Sequence, residues 1–83
     1  MPKITIYSSD HCPYCVRAKD LLTRKKASFD EVRIDLDPSA KEAMMTLTNR
    51  RTVPQIFIGD VHVGGCDDLF ALDRTGELDK LLA

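Results

Sequence analysis

The sequence has no apolar stretch near the roughly 20 residues that a membrane-spanning helix needs. Its apolar runs are short, such as Ile56-Phe57-Ile58, so no membrane association is expected. An excess of charge of either sign is also missing. The chain has 12 Lys and Arg against 13 Asp and Glu, a net charge of −1 and a pI near 6.0. That balance leaves no field to gather nucleic acid or anionic lipid. Met1-Pro2-Lys3 leads into an alternating segment without the apolar core of a signal peptide, so the cytoplasm is the expected compartment. Repeats, linkers and low-complexity segments are absent. At 83 residues, positions 1–83 read as one domain with one small core, and a monomer is expected. Cysteine is scarce and odd in number. Three residues do not make the paired framework of a small secreted protein.

What is present is a regular alternation of short patterns. Lys3–Tyr7 alternates, with Ile4 and Ile6 on one face, and reads as a strand. Pro13 opens a helix whose Cys15, Ala18, Leu21 and Leu22 share a face. Phe29–Ile34 is a second strand. Asp37-Pro38 reads as an N-cap followed by Pro at the first helical position. Ala40, Ala43, Met44 and Leu47 then form an amphipathic stripe. Gln55–Ile58 and Val61–Val63 are strands joined by Gly59-Asp60, a two-residue hairpin loop of type II′. Helices follow near Asp67–Arg74 and Leu78–Leu82. The order β-α-β-α-β-β-α implies an α/β chain with a mixed four-stranded sheet. Its first crossover is right-handed and parallel, and its last two strands are antiparallel.

Cys12 and Cys15 fall between the first strand and the first helix. Cys12 precedes Pro13 and so occupies the helix N-cap, where free backbone N–H groups face its sulfur and favour thiolate. Thiolate is the attacking species in disulfide exchange. Arg17 and Lys19 add positive charge nearby. Cys15 returns to the same side nearly one turn later and shares the apolar face, which suits a resolving thiol. A zinc knuckle is the other reading of such a pair. It would need two more ligands from Cys66, His11 and His62, none of which forms a second pair. His62 alternates with Val61 and Val63 and reads as solvent-facing.

Three motifs in order, Cys12-Pro13-Tyr14-Cys15, Thr52-Val53-Pro54 and Gly64-Gly65-Cys66-Asp67-Asp68, resemble the glutaredoxin family of the thioredoxin superfamily. The likeness covers nearly the whole chain and is greatest to the bacterial glutaredoxin 3 type. Thioredoxins proper carry Trp-Cys-Gly-Pro-Cys, whereas this chain has no Trp. The resemblance implies a thioredoxin-like fold and a glutathione-dependent dithiol–disulfide oxidoreductase. Cys12 would be the nucleophile and Cys15 the resolving thiol. Glutathione would be a reducing co-substrate rather than a tightly bound cofactor, and no metal site is expected.

The resemblance also implies a cis Val53-Pro54 bond facing Cys12. The backbone of Val53 would pair with bound glutathione, with Thr52 and Tyr14 beside it. Gly65, Cys66, Asp67 and Asp68 would receive the γ-glutamyl end, and Cys66 would also act as a small filler. Many relatives have Lys three residues before the first Cys. Ser9 stands there in this chain, so the cation for the glycyl carboxylate is expected from Arg51, with Arg50 as a second candidate. The implied partners are glutathione, protein disulfides, glutathionylated proteins and, indirectly, glutathione reductase. A ribonucleotide reductase is one such substrate. Two alternatives remain: a redoxin served by thioredoxin reductase, and a module holding zinc or an iron–sulfur cluster. Pro13 counts against the cluster, and Gly64–Asp68 counts against the other reductant.

Overall fold

Burial alternates along the first strand, and that alternation sets the sheet. In the computed structural model, which describes residues 2–83, β1 (Ile4–Ser8) buries Ile4, Ile6 and Ser8 on one face. The remaining elements are α1 (Pro13–Arg24), β2 (Asp30–Arg33), α2 (Pro38–Thr48), β3 (Gln55–Ile58), β4 (Val61–Gly64), α3 (Cys66–Thr75) and α4 (Glu77–Leu82). The sheet order is β2-β1-β3-β4. β1 runs parallel to β2 across the α1 crossover, while β3 is antiparallel to both β1 and β4. This is the thioredoxin-like fold with a mixed four-stranded sheet. Gly59, with φ 58°, and Asp60 close the β3–β4 hairpin, and Ile58 pairs with Val61.

The apolar core lies between the sheet and helices α1, α3 and α4. Ile4, Ile6, Ile56 and Ile58 meet Ala18, Leu21, Leu22, Leu69, Leu78 and Leu82 there. Away from this core, Tyr7, Phe57 and His62 form an aromatic row across the sheet. Helix α2 is capped as expected. Asp37 accepts from the N–H groups of Ser39 (3.0 Å) and Ala40 (3.3 Å), and Asn49 ends the helix in the left-handed region. Its buried stripe differs from the expected one. Met44 and Thr48 are buried, whereas Ala43 is exposed and Leu47 is 60% exposed. Met44 and Thr48, four residues apart, lie along one line of the helix, and Ala43 and Leu47 fall beside it.

β2 is shorter than expected, and its outer residues serve a polar cluster. Ser8 Oγ and Lys19 Nζ both donate to Glu31 Oε2, at 2.5 and 2.8 Å. Lys19 is thus paired with Glu31. The hydrogen bond from Lys19, then that from Ser8, pulls the Glu31 carboxyl below its ordinary value of 4.5. A lowered folded-state value means that this group stabilises the fold above about pH 4.5 and loses that contribution as pH falls through the folded value. Glu31→Gln is expected to cost about 0.5–1 kcal/mol at pH 7. Its deficit should shrink towards zero in acid, as read from urea midpoints across pH.

Candidate active site

The chain leaves β1 at Ser8 and enters α1 at Pro13. His11, left-handed at φ 53°, makes the turn, and its exposed ring lies 3.3 Å from Asp10. Cys12 is the N-cap, with extended backbone. The N–H of Cys15 lies 3.1 Å from its sulfur. Pro13 removes a backbone donor where none is needed. Cys12 and Cys15 are joined as a disulfide, with Cα atoms 5.2 Å apart. Cys12 is half-buried and Cys15 is 1% exposed. One sulfur can therefore be approached from outside, while the other is reached only through it.

Two recesses flank the pair. The wider, of about 530 Å³, is bounded by both cysteines, Ser9, Lys19 and Glu31. The other is a groove of about 220 Å³ running from Tyr14 across Thr52, Val53 and Pro54 to Gly65, Cys66, Asp67 and Asp68. The structure thus gathers most of the expected residues into one groove. Val53–Pro54 is cis, as the resemblance implied, and the Val53 carbonyl oxygen lies 3.9 Å from Cys12 Sγ. Tyr14 is 54% exposed at the rim. Arg17 lies over the rings of Tyr14 and Phe70, 5.9 and 5.5 Å from their centroids, and so ties α1 to α3.

The far end of the groove is the N-terminus of α3. Gly65 is its N-cap, and the first N–H groups of the helix have no acceptor within it. Gly64 has φ 113°, and a Cβ there would strike the Asp68 carboxylate, so only glycine fits. Asp68 Oδ2 accepts from the Gly65 N–H at 2.9 Å and from Arg50 Nη1 at 3.3 Å. The Gly65 bond, then Arg50, holds its carboxyl below the ordinary value. Burial pushes the Cys66 thiol up, and its side chain is buried against the core.

Arg50 lines the groove and also a separate recess that it shares with Met45, Asn49 and Arg51, while Arg51 lines only that second recess. The left-handed Asn49 turns the chain so that Arg50 points towards α3. Ser9 lies on the opposite side, in the wider recess. His62 is not solvent-facing. It is half-buried, stacked on Phe57 at 5.0 Å, with Nε2 2.7 Å from Oε1 of Gln55. Gln55 also lines the groove and was not singled out from sequence. The available signal was a polar residue beginning the otherwise apolar stretch Gln55-Ile56-Phe57-Ile58. Among the described residues, no group of three or more His, Cys, Asp or Glu side chains is placed to hold a metal ion.

Comparison with known proteins agrees with this geometry. The sequence model for glutaredoxin matches residues 4–63. Glutaredoxin 3 of Escherichia coli K12 is 52% identical over 82 residues, covering 99% of each chain. The solution structure of a glutaredoxin from Brucella melitensis superposes with a TM-score of 0.87 at 52% identity, covering 99% of this chain and 89% of that one. A buckwheat glutaredoxin–glutathione complex superposes with a TM-score of 0.88 at 33% identity, covering 95% of this chain and 74% of that one. On the full-length likeness and on the site itself, the chain belongs to the glutaredoxin family.

Proposed function

We propose that glutathione lies in the groove between Tyr14 and α3, with its sulfur at Cys12 and its γ-glutamyl end at the α3 N-terminus. The chain is a glutathione-dependent dithiol–disulfide oxidoreductase, and the groove is where that dependence arises. The observation that carries the reading is a single line of groups. A half-buried Cys12 sulfur lies 3.9 Å from the Val53 carbonyl, and the groove beside it ends on the free N–H groups of α3. The buckwheat relative, solved with glutathione, supports the same occupant.

In this reading the Val53 backbone pairs with the cysteinyl residue of glutathione, flanked by Thr52 and Pro54. The N–H groups of Cys66, Asp67 and Asp68 receive the α-carboxylate, with Gly65 beside them. The carboxylate of Asp67 or Asp68 meets the α-ammonium. Tyr14 covers the reacting sulfurs. Arg50 takes the glycyl carboxylate and Arg51 contributes only the surrounding potential. The thiolate of Cys12 attacks the disulfide of a glutathionylated protein, taking the glutathione sulfur and expelling the protein thiol. A second glutathione thiolate then attacks Cys12–S–S–glutathione, releasing oxidised glutathione and Cys12 thiolate. With a protein disulfide, Cys12 forms the mixed disulfide and Cys15 attacks it. The protein leaves as a dithiol and the Cys12–Cys15 disulfide remains, to be reduced by two glutathione molecules. Glutathione reductase acts only on the oxidised glutathione.

The protein substrates proposed are glutathionylated and disulfide-bonded proteins, a ribonucleotide reductase among them. The protein would act as a single-domain monomer in the cytoplasm. Among the described residues no helix is long and apolar enough to cross a membrane.

The decisive assay reduces a small glutathione mixed disulfide with glutathione, glutathione reductase and NADPH. Cys12→Ser is expected to abolish turnover. Cys15→Ser is expected to retain it on glutathione mixed disulfides and lose it on protein disulfides. A Cys15→Ser protein that is inactive on both would remove the monothiol step. No turnover by the folded, reduced native protein would shift the reading to thioredoxin reductase as electron source. In the same assay Arg50→Ala is expected to raise KM about three- to tenfold. Arg51→Ala should leave KM within about twofold.

A further inference from the structure

The buried amide of Gln55 and the ring of His62 have no part in the chemistry above, yet they lead directly to it. Gln55 is 1% exposed and follows Pro54. Its Nε2 lies 3.1 Å from the Thr52 carbonyl oxygen and 3.3 Å from Thr52 Oγ1, and its Oε1 lies 2.7 Å from His62 Nε2. The polarity of this chain is fixed from one end. A carbonyl oxygen only accepts, so the Gln55 NH2 must face Thr52. The amide oxygen must then face His62, and His62 Nε2 must carry a hydrogen. His62 is itself held by stacking on Phe57, its cross-strand partner.

The bond to Thr52 fixes a peptide plane. Among the described residues the Val53–Pro54 bond is the cis one, so the Thr52–Val53 peptide is trans. Its C=O and N–H therefore point in opposite directions. Drawing the Thr52 carbonyl inwards onto Gln55 directs the Val53 N–H away from the core. Burying a polar amide costs free energy unless it is fully paired, and an apolar side chain of similar volume would fill the position at no such cost. Gln55 is thus a poor choice for packing alone and a good one for holding a loop.

We propose that His62 is a positioning residue for glutathione, acting through Gln55 to aim the Val53 N–H into the groove. The proposal rests on the reading that Val53 pairs with bound glutathione. His62 touches neither sulfur nor substrate. Its effect falls on binding, and the ionisation of Cys12, set by the N-terminus of α1, is untouched.

Three variants test this in the coupled assay, with urea midpoints to confirm folding. His62→Phe retains a ring against Phe57 and removes the donor. Gln55→Leu removes the amide and leaves an apolar side chain that the core can accept. Both are expected to raise KM for the glutathione mixed disulfide about three- to tenfold, with kcat within about twofold. The ultraviolet titration of the Cys12 thiolate should not move. His62→Gln, which restores an N–H donor, should recover most of the native KM. A native KM in folded His62→Phe and Gln55→Leu, or a KM raised equally in His62→Gln, overturns the proposal. Amide NMR separates the two levels of the argument. If S-methylglutathione does not shift the Val53 amide of the native protein, the underlying reading of the groove fails. If it does, and binds His62→Phe with native affinity, only the role of His62 fails.

Discussion

The arrangement depends on one sulfur occupying the first position of one helix. Cys12 is the N-cap of α1, and the N–H of Cys15 lies 3.1 Å from its sulfur. That contact exists because β1 ends four residues earlier, His11 turns the chain and Pro13 begins the helix without needing a donor. The free N–H groups and the positive end of the helix then act on a group whose charged form is the reactive one. Ala18, Leu21 and Leu22 anchor α1 to the core. The apolar packing thus fixes where the dipole points. The spacing of the pair makes the second sulfur unlike the first. One turn deeper, Cys15 is removed from solvent, so external disulfides meet Cys12 first.

The groove extends the same physics to a second helix. α1 and α3 both present N-termini to the region between Cys12 and Asp68, with the Thr52–Pro54 segment between them. Two such ends attract anionic groups without a cluster of lysines. The groove carries one guanidinium, Arg50, and two carboxylates, Asp67 and Asp68, of which Asp68 is paired with Arg50. A zwitterionic peptide with two carboxylates and one ammonium suits such a surface. In the proposed pose its carboxylates would meet N–H groups and a guanidinium, and its ammonium an aspartate. The pairing of Arg50 with Asp68 is half-exposed and weak, so a ligand can separate the two at little cost.

Features governed by local rules were legible in the sequence. The N-cap Cys12, the Asp37-Pro38 helix start and the Gly59-Asp60 hairpin each depend on neighbours in the chain, and each stands where expected. Features governed by long-range packing were not. Leu47 belongs to a sound amphipathic pattern yet is exposed, because the buried line of α2 runs through Met44 and Thr48. Lys19 lies near the cysteines in sequence but is taken by Glu31, which arrives from β2. Arg50 and Arg51 are adjacent, and after the left-handed Asn49 it is Arg50 that reaches Asp68 of α3. His62 illustrates the limit of alternation. The pairing of β3 with β4 shifts between Ile56 and Phe57, and such a bulge re-aims side chains that a simple period of two would place in water.

The third cysteine shows how burial and helix position compete. Cys66, like Cys12, stands at the start of a helix, and Arg17 draws its thiol towards ionisation. Position alone would make it a second thiolate beside the first. It is instead packed against the core, and burial outweighs Arg17 and pushes the thiol up. The distinction follows from one step along the helix. An N-cap residue has extended backbone and holds its side chain over the free N–H groups, whereas Cys66, at the first helical position, turns its side chain inwards. Its N–H remains available to a ligand while its sulfur stays neutral. The groove therefore gains a donor from Cys66 without gaining a competing nucleophile, which a small protein with a dithiol site requires if exchange is to begin at a single sulfur.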